Sequence, residues 1–203
     1  MPDVRVVREK RGFSGVKLGE RRHRHRRFSM MSGFLSFRPG RGSDAPLLSR
    51  IAQAAKASWG YSAETLRRWL PELTISAAFV EAHATLVLEE ALSDVVPSSC
   101  ADYLVENRCL LGFSVLVPTD EKDMIELDHF WIIPERQRAG LGRLLFERTL
   151  DLARTFGATR LRVVADPHAE GFYKRMGCRR VAEIPAFVEG VEDRVLPVLE
   201  RPL

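Results

Sequence analysis

From Phe34 onward, the spacing of apolar and polar positions divides the chain into short strands and amphipathic helices. Phe34-Leu35-Ser36-Phe37-Arg38 alternates as a strand and is ended by Pro39-Gly40-Arg41-Gly42. Ser43 or Asp44 is placed to cap a helix carrying Leu47, Leu48, Ile51, Ala54 and Ala55, and Ser62 to cap a second short helix that Pro71 ends. Thr85-Leu86-Val87-Leu88 and Cys109 to Val117 read as strands, while residues 91–107 lack periodicity and contain Pro97-Ser98-Ser99, a loop signal. After the turn Pro118–Asp123, the run Met124 to Ile133 mixes alternation with β-branched and aromatic residues, as a half-buried strand does. Leu141, Leu144, Leu145, Thr149, Leu152, Ala153 and Phe156 then recur at helical spacing, with Gly157 at the C-cap. Leu161–Ala165 is a further strand, residues 168–176 a short helix, and Val181–Ile184 and Val195–Leu199 are closing strands.

Composition changes this picture in one place. Residues 1–33 hold ten Lys/Arg against three acidic residues, whereas the remainder holds 21 basic against 24 acidic. The basic character therefore belongs to the N-terminal segment, which shows little periodicity and is expected to be disordered. Three functional readings stay open for it: a nucleic-acid-binding arm, an organelle presequence, or a translation start at Met30 or Met31 that leaves it outside the protein. No apolar run approaches the roughly 18–20 residues of a membrane helix. Three cysteines without metal-type spacing argue against a disulfide framework and for a reducing, cytoplasmic setting.

Two segments carry candidate chemistry. Pro134-Glu135-Arg136-Gln137-Arg138-Ala139-Gly140-Leu141-Gly142 joins a strand to a helix N-terminus, where unpaired backbone N–H groups and the helix dipole favour an anion, best a phosphate. It lacks the Gly-Lys-Ser/Thr of a P-loop, and it lacks the three glycines and later acidic residue of a dinucleotide fingerprint. Taken alone it reads equally well as a steric turn. The second segment runs from Asp166 to Cys178, an Asx-Pro turn into a short helix that carries Phe172-Tyr173 and ends at Gly177. By itself Tyr173 reads as a half-buried aromatic with its hydroxyl at the surface.

Together the two segments resemble the GNAT acyltransferase superfamily, whose members move an acyl group from acyl-coenzyme A to an amine. The family's Gln/Arg-x-x-Gly-x-Gly/Ala motif is matched by Gln137, Arg138, Ala139, Gly140, Leu141 and Gly142, and its Asn-x-x-Ala-x-x-Phe/Leu-Tyr motif by Asp166, Ala169, Phe172 and Tyr173, with Gly177 following. Asp166 stands where many relatives carry Asn, and a carboxylate cannot donate an amide N–H to a ligand. The resemblance spans residues 34–203 and implies one α/β domain: a mixed, mostly antiparallel sheet of six to seven strands flanked by about four helices. It implies acetyl-CoA as co-substrate, with no metal. The pyrophosphate would rest on the backbone of residues 137–142, helped by Arg136, Arg138 and Arg143, and the pantetheine arm on the edge of Phe130-Trp131-Ile132. A backbone N–H near Trp131 or Ile132 would polarise the thioester carbonyl. The resemblance also implies an irregularity here that splays this strand from the next, which begins near Leu161.

The transfer requires an unprotonated amine and a proton for the departing thiolate. Tyr173, by its match to the family's tyrosine, is the expected general acid, a phenol titrating near 10 against a thiol near 8–9. Candidate bases on the preceding strand are, in order, Glu126, His129 and Asp128; simple alternation places Glu126 and Asp128 on one face and His129 on the other. The acceptor side would be formed by Trp59-Gly60-Tyr61 and Phe187-Val188-Glu189-Gly190, an aromatic, weakly acidic pocket suited to a small cationic amine. Segments Ala55–Tyr61 and Arg194–Pro197 resemble a bacterial branch of the family. The expected activity is N-acetylation by direct attack in a ternary complex, since no cysteine occupies the motif positions. The rivals are acylation of a protein amine and a non-catalytic acyl-CoA sensor. The expected partner is a small-molecule or peptide amine; nucleic acid and membrane are not expected, and a homodimer stays open.

Overall fold

The computed structural model describes residues 29–30, 33–92, 97–186 and 194–203. Most of the basic segment, residues 1–28 and 31–32, and the stretch 187–193 that holds Phe187–Gly190 lie outside the described residues. Among the described residues, nine strands form one sheet: β1 (Ser29–Met30), β2 (Gly33–Pro39), β3 (Ala84–Ala91), β4 (Leu104–Val105), β5 (Arg108–Pro118), β6 (Met124–Ile132), β7 (Arg160–Val164), β8 (Arg179–Pro185) and β9 (Val195–Pro202). The order is β1-β2-β3-β5-β6-β7-β9-β8, with β4 hairpinned onto β5. The pair β6–β7 is parallel and the other pairs are antiparallel. This is the expected mixed, mostly antiparallel sheet: β1 and β4 are two residues each, and the other seven carry the fold.

The helices are α1 (Ala45–Ala57), α2 (Ala63–Trp69), α3 (Ala77–Ala82), α4 (Leu141–Thr155) and α5 (Pro167–Arg175). α2 begins as its sequence demands, with the Ser62 side chain accepting from the Thr65 N–H. α3 was not foreseen from the pattern, yet it carries the same signal, Ser76 accepting from the Phe79 N–H. At α1 the expectation is corrected. Asp44 sits at the N-cap position but makes no side-chain cap; its carboxylate instead receives both terminal nitrogens of Arg38 and the Arg41 N–H. Residues 98–103, read as loop, form a 3-10 helix leading into β4.

Two apolar clusters hold the layers together. Leu48, Ile51 and Ala52 of α1 pack with Val87, Leu88, Leu110 and Phe113 of the sheet. Phe146, Leu150 and Ala153 of α4 pack with Ile125, Leu127, Leu161 and Leu199. Phe146 is fully buried, and its truncation to Ala is expected to cost about 3–5 kcal/mol. A buried hydroxyl pair, Ser114 with Thr149 at 2.7 Å, pins α4 to β5.

Cys100 and Cys109 are joined as a disulfide, contrary to the sequence expectation. The hairpin that pairs Leu104 with Cys109 turns the 3-10 segment back over β5, and a spacing of nine residues carries no sign of that fold-back. Among the described residues, no helix is long and apolar enough to cross a membrane.

Candidate active site

A cavity of about 1090 Å³ opens between β6 and β7 and runs from the N-terminus of α4 to the end of α1. Its origin is a parting of two strands. β6 pairs with β7 only through Met124, Ile125 and Glu126, opposite Arg160, Leu161 and Arg162. Beyond that point Phe130, Trp131 and Ile132 remain paired to β5 on one side, and β7 no longer lies against the other. The break coincides with a β-bulge: Leu127 faces Leu116 and His129 faces Val115, which leaves Asp128 as the extra residue. A bulge turns a strand away from its neighbour and re-aims its side chains.

The bulge also corrects the simple alternation. Asp128 and His129 both line the cavity, together with Leu127, Phe130, Trp131 and Ile132, whereas Glu126 is buried and is not among the lining residues. The Trp131 indole Nε1 donates to His129 Nδ1 at 3.2 Å, so the ring's own proton sits on Nε2, which faces Asp128 Oδ2 at 3.4 Å.

At one end of the cavity, Gly140 caps α4 in the left-handed region (φ 83°) with open space where a side chain would sit. The first N–H groups of α4, at Leu141, Gly142 and Arg143, are of the kind a helix cannot pair internally. Gly142 is needed for a different reason: a Cβ there would come 3.2 Å from the Phe172 ring of α5. Ala139 and Leu141 complete the turn. Two of the expected ligand groups are committed elsewhere. The Gln137 N–H bonds the Pro134 carbonyl and its side chain the Ile132 carbonyl, while Arg136 is ion-paired to Glu90 of β3. Arg138 and Arg143 do line the cavity.

Tyr173 projects from α5 into the same cavity and is only 5 % exposed. Phe130, Phe146 and Phe172 surround its ring at centroid distances of 5.2–6.2 Å. Burial pushes its phenol well above the ordinary tyrosine value, so the hydroxyl keeps its proton at neutral pH. Cys178, just after α5, is buried too, and burial pushes its thiol up to about 11. It is held as a thiol rather than a nucleophilic thiolate.

At the other end stands Asp166, whose Oδ1 accepts from the His168 N–H and caps α5. Its carboxylate also receives Lys56 Nζ at 2.6 Å, Arg194 at 2.9 Å and the Tyr61 hydroxyl at 2.9 Å. Burial alone would raise the Asp166 carboxyl, but Lys56 and these donors hold it below the ordinary aspartate range. Burial draws Lys56 below the ordinary lysine value, with Asp166 opposing. The two cations lie against aromatic faces, Lys56 4.4 Å from the Trp69 ring centre and 5.0 Å from Trp59, and Arg194 4.8 Å from Trp69. Asp166 therefore answers two cations of its own chain, which accounts for a carboxylate at a position where an amide would leave them unbalanced. Of the expected acceptor pocket, Trp59 and Tyr61 stand here with Lys56 and Arg194 beside them, while Phe187–Gly190, which would supply its acidic member, lies outside the described residues.

Lys56, Trp69 and Arg194 were missed as site residues. Lys56 carried a legible signal, since it continues the buried i, i+4, i+8 stripe of Leu48 and Ala52, where a lysine needs a partner. Arg194 lies in a segment noted for its family resemblance, but nothing local pointed to its partner, which lies 28 residues away beyond α5 and β8. Among the described residues, no group of three or more His, Cys, Asp or Glu side chains is placed to hold a metal ion.

The sequence matches the acetyltransferase (GNAT) family over residues 63–178, more than half of the chain, and the chain belongs to that family. No curated protein is a significant sequence match. Among solved structures, the fold is similar to a GCN5-related N-acetyltransferase from Rhodopseudomonas palustris (20% identity, 87% of this chain and 100% of that one, TM-score 0.59). It is similar also to the PaiA N-acetyltransferase from Thermoplasma acidophilum in complex with coenzyme A (15% identity, 83% and 99%, TM-score 0.59). A third likeness is to yncA from Salmonella typhimurium with its cofactor acetyl-CoA (16% identity, 83% and 93%, TM-score 0.55). At these identities the likeness is one of fold.

Proposed function

We propose that this chain moves an acetyl group from acetyl-CoA to an amine by direct attack within a ternary complex. The observation that carries the reading is continuity. One cavity joins the α4 N-terminus, the edge of β6 that β7 leaves open, and Tyr173, so a cofactor anchored by its phosphates would present its thioester beside that residue. The N–H groups at Leu141, Gly142 and Arg143, with Arg138 and Arg143 side chains, take the pyrophosphate. The edge of Phe130-Trp131-Ile132 takes the amide-bearing arm, and a backbone N–H there polarises the thioester carbonyl.

Tyr173 donates its proton to the sulfur as the carbon–sulfur bond breaks, and its raised pKa keeps that proton in place at neutral pH. An alkylamine titrates near 10, so a proton must leave it before attack. The Asp128–His129 pair receives that proton, directly or through water, because it faces the cavity and Glu126 does not. Attack on the thioester by a side chain of the protein is disfavoured by the state of Cys178.

The test is release of free thiol from acetyl-CoA with a panel of small amines and peptides. Tyr173→Phe is expected to lower kcat by about 10²–10⁴-fold while acetyl-CoA affinity stays within a few-fold. Asp128→Asn is expected to lower kcat and Glu126→Gln to leave it nearly unchanged. The reverse order would return the base to Glu126. Tight acetyl-CoA binding without turnover of any amine would instead favour a sensor.

A further inference from the structure

At the corner formed by α1, α2 and the start of β9, two cations share a single carboxylate as their ion-pair partner among the described residues. Lys56 and Arg194 converge on one carboxylate, Asp166, which already accepts from the Tyr61 hydroxyl and the His168 N–H. Oδ2 alone takes Lys56, Tyr61 and Arg194. Glu72, the other carboxylate on this wall, makes no ion pair with either cation among the described residues, and Asp128 faces His129.

Arg194 is the incomplete member. Its side chain is 8 % exposed and lines the cavity, its guanidinium lies over Trp69, and it gives one terminal N–H to Asp166. Among the described residues, its buried Nε has no hydrogen-bond partner. A guanidinium carries five donors in a planar fork matched to a carboxylate, and burying donors unused is unfavourable. Lys56 likewise spends one of its three donors, on Asp166. The half-buried rings of Trp59, Tyr61 and Trp69 lie against the two cations, and apolar surroundings of this kind strengthen charge pairing relative to open water.

We propose that the acceptor is an amine that also bears a carboxylate, of which an amino acid is the simplest form, and that Arg194 with Lys56 binds that carboxylate. The inference rests on the acetyl-transfer reading and names its substrate class. No new covalent step is added: the carboxylate is a handle that orients the amine toward the thioester, and Arg194 is a specificity residue.

The experiment compares α-amino acids as free acids with the same compounds as carboxamides, at saturating acetyl-CoA, by thiol release from the full chain. At least one free acid is expected to exceed its amide by tenfold or more in kcat/KM. Arg194→Gln is expected to erase that preference through KM, with acetyl-CoA affinity changed less than twofold. Amides or plain alkylamines used as well as acids by the wild-type chain would overturn the proposal, and that comparison needs no variant to fold. A loss of acetyl-CoA affinity in Arg194→Gln would overturn it too, by assigning the corner to the cofactor. Should acetyl-CoA bind without any turnover, the acetyl-transfer reading fails separately. Calorimetric titration of the same acids and amides into the protein with coenzyme A then decides this one, and equal binding of the two sets overturns it.

Discussion

At the scale of single residues, two glycines two positions apart serve different physical needs. Gly140 holds a positive φ with nothing near its missing side chain, so Gly140→Ala is expected to cost about 1 kcal/mol, read by urea denaturation, through backbone strain alone. Gly142→Ala presses on Phe172, which lines the cavity, and is expected to raise the KM for acetyl-CoA more than it lowers stability. Asp166→Asn keeps an oxygen for the α5 cap but strands two buried cations. It is expected to cost about 3 kcal/mol, much of it recovered when Lys56→Met is added. Tyr173 supplies a pH test. Because burial raises its pKa in the fold, the folded chain holds the proton longer than the unfolded one, in which the phenol titrates near 10. Its contribution to stability is complete below about pH 10 and falls as pH rises beyond it. Tyr173→Phe should flatten that alkaline decline in thermal melts.

At the scale of elements, the sequence was most legible where local chemistry and tertiary structure agree. The α4 pattern, the turn at Gly140 and the Ser62 cap were all visible, because each rests on spacing or on one residue's conformational preference. β6 was visible as a strand, and its parting from β7 was expected from the family resemblance. An irregularity was expected there on the same ground, but its position at Asp128 was not visible, since nothing in Leu127-Asp128-His129 marks an extra residue, and one such residue shifts the face of every side chain that follows it. For this reason alternation paired Glu126 with Asp128, whereas the cavity receives Asp128 and His129. The Lys56–Asp166–Arg194 cluster was hidden differently. Its members are 110 and 28 residues apart and come together only when α1, α5 and β9 have packed.

For the whole molecule, charge separates along the chain, with the basic excess in residues 1–33 and a mildly acidic remainder. We expect the catalytic domain to be residues 34–203, with the basic segment dispensable to it even though Ser29–Met30 adds a two-residue strand at the sheet's edge. A chain beginning at Met31 should bind acetyl-CoA with unchanged Kd, and a marked loss would place the segment within the working domain. Salt-dependent DNA binding confined to the full-length chain would revive a nucleic-acid role for it.

The parallel junction of β6 and β7 amounts to three residue pairs, and on either side of it the sheet is antiparallel and continuous. The molecule is thus two stiff plates sharing a short fulcrum. A ligand lodged in the wedge braces one plate against the other, so occupancy should register as rigidity far from the ligand itself. At a concentration a hundredfold above Kd, binding contributes about 2.7 kcal/mol of stability. Slower amide exchange should then reach along β7 into β9, strands that a ligand held by the α4 turn alone would leave unprotected.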